Sequence, residues 1–152
     1  AGSDYDLKKS YDFKRIKIVR DYDDGLPVVN CTETEIEQVL LNLLRNSAQA
    51  LAVCDPPAQD PRIDIRARNQ GEFIRIEIED NGPGMPAEVQ RRVFEPFYTT
   101  KPPGEGTGLG LSVSYFIVTK GHGGKMTVSS QPGAGTLFCI DLPAEQDTEE
   151  AA

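Results

Sequence analysis

The sequence predicts an α+β fold, a two-layer α/β sandwich in which a mixed, mostly antiparallel sheet carries helices on one face. Three observations lead there. Two segments, RIDIRAR (62–68) and FIRIEIED (73–80), alternate apolar and polar residues as half-buried strands do. One long segment repeats its apolar residues at helical spacing behind a capping signal. The elements also run β, α, β, β, short α, loop, α, β, β, an order that suits a sheet covered on one side.

Residues 15–20, RIKIVR, read as the first strand. Thr32 to Glu35 and Thr34 to Glu37 form two overlapping capping boxes, so a helix follows, to about Val53. Its apolar face is Ile36, Val39, Leu40, Leu43, Leu44 and Leu51, and Cys54-Asp55-Pro56-Pro57 ends it. The two alternating segments flank a turn-like Asn69-Gln70-Gly71-Glu72 and make a hairpin. A short helix is expected over Ala87 to Val93, then a Pro/Gly-rich loop over 94–107, then a second helix over 109–120 stopped by Gly121. KMTVSS (125–130) and GTLFCIDL (135–142) close the sheet as two strands joined at Gln131-Pro132-Gly133.

The chain has 152 residues, 38% hydrophobic and 26% charged, enough for one domain with a core. Residues 1–12 read as a remnant that opens on a tag-like Ala1-Gly2-Ser3, 13–143 as the domain, and 144–152 as a solvated acidic tail. A net charge of −8 argues against a nucleic-acid partner, which needs a basic face. No apolar run is long enough to cross a bilayer, so no direct membrane contact and a cytoplasmic location are expected. Cys31, Cys54 and Cys139 show no metal-ligand spacing and read as reduced cytosolic thiols in or near the core.

Four stretches carry chemistry. On the long helix Asn42, Asn46 and Gln49 share one face. Gln49 alone would be a solvated surface residue, but paired asparagines form helices poorly, and an amide oxygen can ligate Mg²⁺, which needs few protein ligands. Asp80-Asn81-Gly82-Pro83-Gly84-Met85 follows a strand. It is either a plain turn or a strand-end carboxylate that accepts from an exocyclic amine while glycines admit a flat base. GPGMPA also fits G-x-G-x-x-A, but its strand belongs to a hairpin, and Pro83 and Pro86 remove two backbone donors. Phe94-Glu95-Pro96-Phe97-Tyr98-Thr99-Thr100-Lys101 is either a loop pinned by aromatics or a lid whose Lys101 reaches phosphates. Glycines 106, 108 and 110 sit at a helix start, where free N–H groups favour a polyphosphate, without the G-K-[ST] of a Walker loop.

In that order these stretches resemble the catalytic, ATP-binding domain of bacterial sensor histidine kinases. Its superfamily is shared with gyrase, the heat-shock ATPase chaperones and MutL. The resemblance covers about residues 15–143. EQVLLNLLRNSAQAL (37–51) is similar to the asparagine box, EDNGPGM (79–85) and GTGLGLS (106–112) to the two glycine boxes, and FEPFYTTK (94–101) to the phenylalanine box. EPFYTTK and HGG (122–124) are most similar to the nitrogen-regulation type.

The resemblance implies the Bergerat ATP-binding fold, with ATP and Mg²⁺ bound. Asn46 would ligate the metal, with Asn42 near the phosphates. Asp80 would bond the adenine amino group in a pocket shaped by Gly82, Gly84 and Met85, and Thr136 would help fix the base. Gly106, Thr107, Gly108, Leu109, Gly110 and Leu111 would hold the phosphates, with Lys101 as the lid cation. Where the family often has a basic residue this chain has Gln49, which leaves phosphate contacts from that helix in doubt. The superfamily's hydrolases carry Glu where this chain has Asn42, so slow hydrolysis is expected and transfer to a protein acceptor instead. The implied partners are a histidine-containing dimerisation domain of the same kinase and a response regulator. The fragment would be monomeric and its parent a homodimer, free to be membrane-anchored. His122, the only histidine, is expected to be a helix-end cap. An anti-sigma-factor-type serine kinase and a degenerate nucleotide-binding module are the alternatives.

Overall fold

Five strands, β1 (Lys17–Tyr22), β2 (Arg62–Asn69), β3 (Phe73–Asp80), β4 (Lys125–Ser130) and β5 (Thr136–Pro143), form one sheet in the order β1-β2-β3-β5-β4. β1 runs parallel to β2, and every other neighbouring pair is antiparallel. The computed structural model describes residues 16–53, 60–96, 98 and 110–144. The helices are α1 (Glu33–Val53), α2 (Ala87–Arg92) and α3 (Gly110–Phe116), the last continuing as a π turn over Ile117–Gly121.

Alternation decides which face of the sheet is covered. On β3, Ile74, Ile78 and Asp80 are buried, and on β5 Thr136, Phe138, Ile140 and Leu142 are. Val39, Leu43, Ala48 and Leu51 of α1 and Val118 of the π turn join them in one core. The opposite face holds cross-strand ion pairs. Arg66 reaches Glu77 at 2.7 Å and Glu79 at 2.6 Å, and Arg75 reaches Asp141 at 2.8 Å. Arg66 lies opposite Glu77, and Arg75 opposite Asp141, in the strand register. Such half-exposed pairs contribute only tenths of a kcal/mol to about 1 kcal/mol each and mainly keep this face solvated.

α1 starts where the first capping box places it: the Ile36 N–H donates to the Thr32 carbonyl at 3.0 Å, so Thr32 is the cap residue. β1 begins two residues later than its sequence pattern indicates. Its register is set by pairing with β2 and by Arg68, which binds Asp21 at 2.8 Å and Asp23 at 3.2 Å. The second helix widens to a π turn where a uniform α-helix is expected from sequence. Among the described residues no helix is long and apolar enough to cross a membrane. Cys31 and Cys139 are free thiols; Cys139 is partly buried on β5, but Cys31 is exposed before α1 and not in or near the core as expected from sequence, and Cys54 lies outside the described residues.

Candidate functional site

β3 ends on Asp80, whose place in the alternation turns it into the covered side of the sheet, where it is 4% exposed. Its Oδ1 accepts from the Gly82 N–H at 2.8 Å. Burial pushes this carboxyl above its ordinary pKa, while the Gly82 N–H, the Ser47 hydroxyl and the Thr136 backbone pull it partly back. Ser47, on α1, is fully buried beside that carboxylate. Its Oγ is close enough to Asp80 to act on the carboxylate, though the geometry falls short of a well-aligned hydrogen bond. A buried acceptor next to a hydroxyl fits the polar edge of a purine.

The backbone around Asp80 is held tightly. The Met85 N–H donates to Ser130 Oγ at 2.8 Å, and Gly133 N–H to the Pro83 carbonyl at 2.7 Å. Gln90 of α2 donates from Nε2 to the carbonyls of Ser130 at 2.6 Å and Met85 at 3.2 Å, and accepts from the Ser130 N–H at 3.2 Å. Ser130 Oγ lies 3.0 Å from Thr136 Oγ1, and Thr136 is paired opposite Asp80. Asn81 turns away, accepting from the Arg62 N–H at 2.8 Å and donating to the Asp60 carbonyl at 3.0 Å.

Two close approaches require glycine. Gly84 has φ +73°, and a Cβ there would lie 1.9 Å from the Gln131 carbonyl oxygen. Gly135 has φ +84°, and its Cβ would lie 2.1 Å from the Asp80 carbonyl oxygen. Left-handed strain and a backbone clash add up at Gly135. Gly135→Ala is therefore expected to cost about 3 kcal/mol and lower the melting temperature by roughly 10 °C, read by thermal unfolding. An unchanged melting temperature would contradict this geometry.

Asn42 and Asn46 share a face of α1, as their spacing requires, but their surroundings differ. Asn42 Nδ2 donates to the Gly110 carbonyl at 3.2 Å and to Ser114 Oγ at 3.0 Å, and its Oδ1 accepts from Gln38 at 2.9 Å. Both amide hydrogens are thus engaged in docking the first turn of α3. Asn46 is half-buried one turn on, and no hydrogen bond to it occurs among the described residues. Gln49 has an interaction of its own. No cluster of three His, Cys, Asp or Glu able to hold a metal occurs among the described residues.

Gly110 and Leu111 open α3 next to Asn42, whereas Lys101, Gly106, Thr107, Gly108 and Leu109 lie outside the described residues, as does Phe97. Of the aromatic stretch, Phe94 stacks on Tyr115 of α3 at 4.8 Å and meets Phe138 of β5 edge-on at 6.4 Å. Arg92 lies 4.4 Å from the Tyr98 ring centroid. The aromatic anchoring expected from sequence is therefore present at Phe94.

Ser47, Gln90, Ser130 and Gly135 escape the sequence reading. Ser47 did leave a signal: it stands four residues from both Leu43 and Leu51, a hydroxyl in an apolar stripe. Gln90 and Ser130 left none, because their partners come from distant segments.

Fold and site together define a nucleotide-binding ATPase domain. Residues 31–146 match the family of histidine kinase-, DNA gyrase B- and HSP90-like ATPases, and the chain belongs to that family. Sporulation kinase E of Bacillus subtilis is 35% identical over 144 residues, covering 95% of this chain and 18% of that protein. The sensory histidine kinase/phosphatase NtrB of Klebsiella oxytoca is 38% identical over 138 residues, covering 84% of this chain and 37% of that protein. The chain thus spans well under half the length of these curated relatives. A nucleotide-free catalytic domain of the histidine kinase ThkA superposes with a TM-score of 0.73 at 28% identity, covering 93% of this chain and 86% of that one. This chain is accordingly a histidine-kinase ATP-binding catalytic domain.

Proposed function

We propose that the domain binds Mg²⁺·ATP and transfers the γ-phosphoryl group to a histidine on a separate helical dimerisation domain, from which a response regulator takes it. The observation that carries this reading is the buried Asp80 carboxylate at the end of β3, beside the buried Ser47 hydroxyl and among close-packed glycines. Asp80 accepts from the adenine amino group, with Thr136 beside it and Gly82, Gly84 and Met85 forming the wall. Asn46 lends its amide oxygen to the metal, and Gly110 and Leu111 present helix N-terminal N–H groups to the phosphates. Lys101 and residues 106–109 complete the phosphate side in this reading. Mg²⁺, when bound, neutralises charge on the transferring group.

The missing base then becomes intelligible. A neutral imidazole attacks through a nitrogen that carries no proton. The P–N bond forms as the bond to the β–γ bridging oxygen breaks, ADP leaves, and no proton need be abstracted first. Water or a serine hydroxyl must lose a proton, and Asn42 cannot take it. This favours a histidine acceptor over the serine of an anti-sigma-factor-type kinase. The acceptor must come from another segment, because both ring nitrogens of His122 are bonded to backbone. A likeness to ThkA solved in complex with the response regulator TrrA, TM-score 0.70 at 26% identity, supports the onward step. For subtype we propose nitrogen regulation, on EPFYTTK, HGG and the likeness to NtrB. The sensor kinase CckA of Brucella abortus is also 38% identical, so the choice turns on which regulator is phosphorylated.

Calorimetric titration with ATP and ADP, with and without Mg²⁺, tests binding, and a phosphate-release assay tests the missing base. Magnesium-sensitive ATP binding with negligible hydrolysis is expected. Rapid hydrolysis by the domain alone would overturn the acceptor argument.

A further inference from the structure

α1 and α3 together carry the site, yet they are held very differently. α1 buries Val39, Leu43, Ala48 and Leu51 in the core. α3 fully buries only Ser114; Leu111 packs partly against the core and Tyr115 stacks on Phe94, while Val113, Tyr115 and Phe116 remain 44%, 39% and 63% exposed. Beside this apolar contact, α3 is tied by polar groups at both ends. One is the Asn42 amide at its first turn. The other is at its far end, where the Thr32 N–H donates to His122 Nε2 at 3.0 Å and His122 Nδ1 lies 2.9 Å from the Ile117 carbonyl.

The chemistry of these contacts fixes the proton. A backbone N–H can only donate, so Nε2 accepts, and a carbonyl can only accept, so Nδ1 carries the hydrogen. Thr32 is the cap of α1, and Ile117 opens the π turn that ends α3. The imidazole thus ties the start of one ligand helix to the end of the other across 90 residues of sequence. Beside it the Gly124 N–H donates to the Val118 carbonyl at 2.8 Å, which closes the helix end without reaching α1.

We propose that His122 is a positioning residue: with Asn42 it fixes α3 at both ends against α1, so that the helix start at Gly110 stays aligned with Asn46. This goes beyond a helix cap, because the bond that matters runs to another helix. It rests on the nucleotide reading above for its functional consequence.

Three substitutions separate the two bonds. Glutamine can place an oxygen near the Nε2 position, keeping the acceptor for Thr32. Asparagine can place an N–H near Nδ1, keeping the donor to Ile117 only. His122→Ala is expected to speed hydrogen exchange at the Thr32 amide and weaken Mg²⁺·ATP binding about fivefold, the equivalent of one neutral hydrogen bond. His122→Gln should restore both, and His122→Asn should restore neither. A helix-end cap alone would lower the melting temperature of His122→Ala and leave the affinity of the folded protein unchanged. That outcome, or equal behaviour of the Gln and Asn variants, overturns the proposal. Nitrogen NMR of the wild-type imidazole reads the proton independently of nucleotide. The Nδ1–H tautomer is expected, and the Nε2–H tautomer would overturn the tie. Wild-type protein that binds no nucleotide would fail the functional reading, while the tautomer and the Thr32 exchange would still decide the tie.

Discussion

Asp80→Asn is expected to stabilise the nucleotide-free domain while weakening ATP binding about tenfold to a hundredfold. The two effects have one cause. Asp80 is an acceptor sunk to 4% exposure, and burial raises its pKa above the ordinary value. A raised folded-state pKa means that this group favours folding at pH below the unfolded pKa, and that the benefit is lost as pH rises through the folded pKa. At neutral pH the charge therefore opposes folding. Asparagine removes the charge, and its oxygen can still accept from the Gly82 N–H, so the melting temperature should rise. What the variant loses is the charge-assisted bond to the adenine amine, worth about 1.5–3 kcal/mol. Acidification of wild-type protein should act likewise: ATP affinity falls as Asp80 protonates, over the same pH range in which its penalty on folding disappears. Calorimetry and thermal unfolding on one sample measure both arms. Wild-type ATP affinity in a folded Asp80→Asn protein would remove Asp80 from the site.

The sheet was readable because one face is wet. RIDIRAR and FIRIEIED alternate only because Arg66 and Glu77 can stay half in water while Ile63 and Ile78 enter the core. β1 was misplaced by two residues because its register depends on β2 and on Arg68, both more than forty residues away. The π turn had no local signal; the nearest physical correlate is the His122 contact to Ile117. Within the site, Asp80 and Gly84 were legible because turn residues after a strand end are chemically distinctive. Asn42 was legible as a position and not as a role. Spacing puts it on the face of Asn46, but its amide is engaged by Gly110 and Ser114, and Ser114 is 72 residues distant. Gln90 and Ser130 join segments that no short window contains.

The difference between those two asparagines leads to the other large effect, Asn46→Ala. Alanine is the best helix former, and no side-chain hydrogen bond of Asn46 occurs among the described residues, so the helix and the fold should persist. The loss falls on the metal. With its amide oxygen gone, ATP affinity should no longer respond to Mg²⁺, and phosphoryl transfer to a supplied histidine domain should drop by about a hundredfold or more, because transfer depends on positioning and charge neutralisation. Asn42→Ala should do the reverse. It strips the Gly110 carbonyl and the buried Ser114 hydroxyl of their donor, so stability falls by about 1–3 kcal/mol while the Mg²⁺ response of the remaining ATP binding survives. Titrations with and without Mg²⁺, beside melting curves of both variants, separate the roles. If Asn46→Ala keeps its magnesium response and Asn42→Ala loses it, the metal ligand is Asn42, and the tie between α1 and α3 exists to present that amide and not to hold the helix.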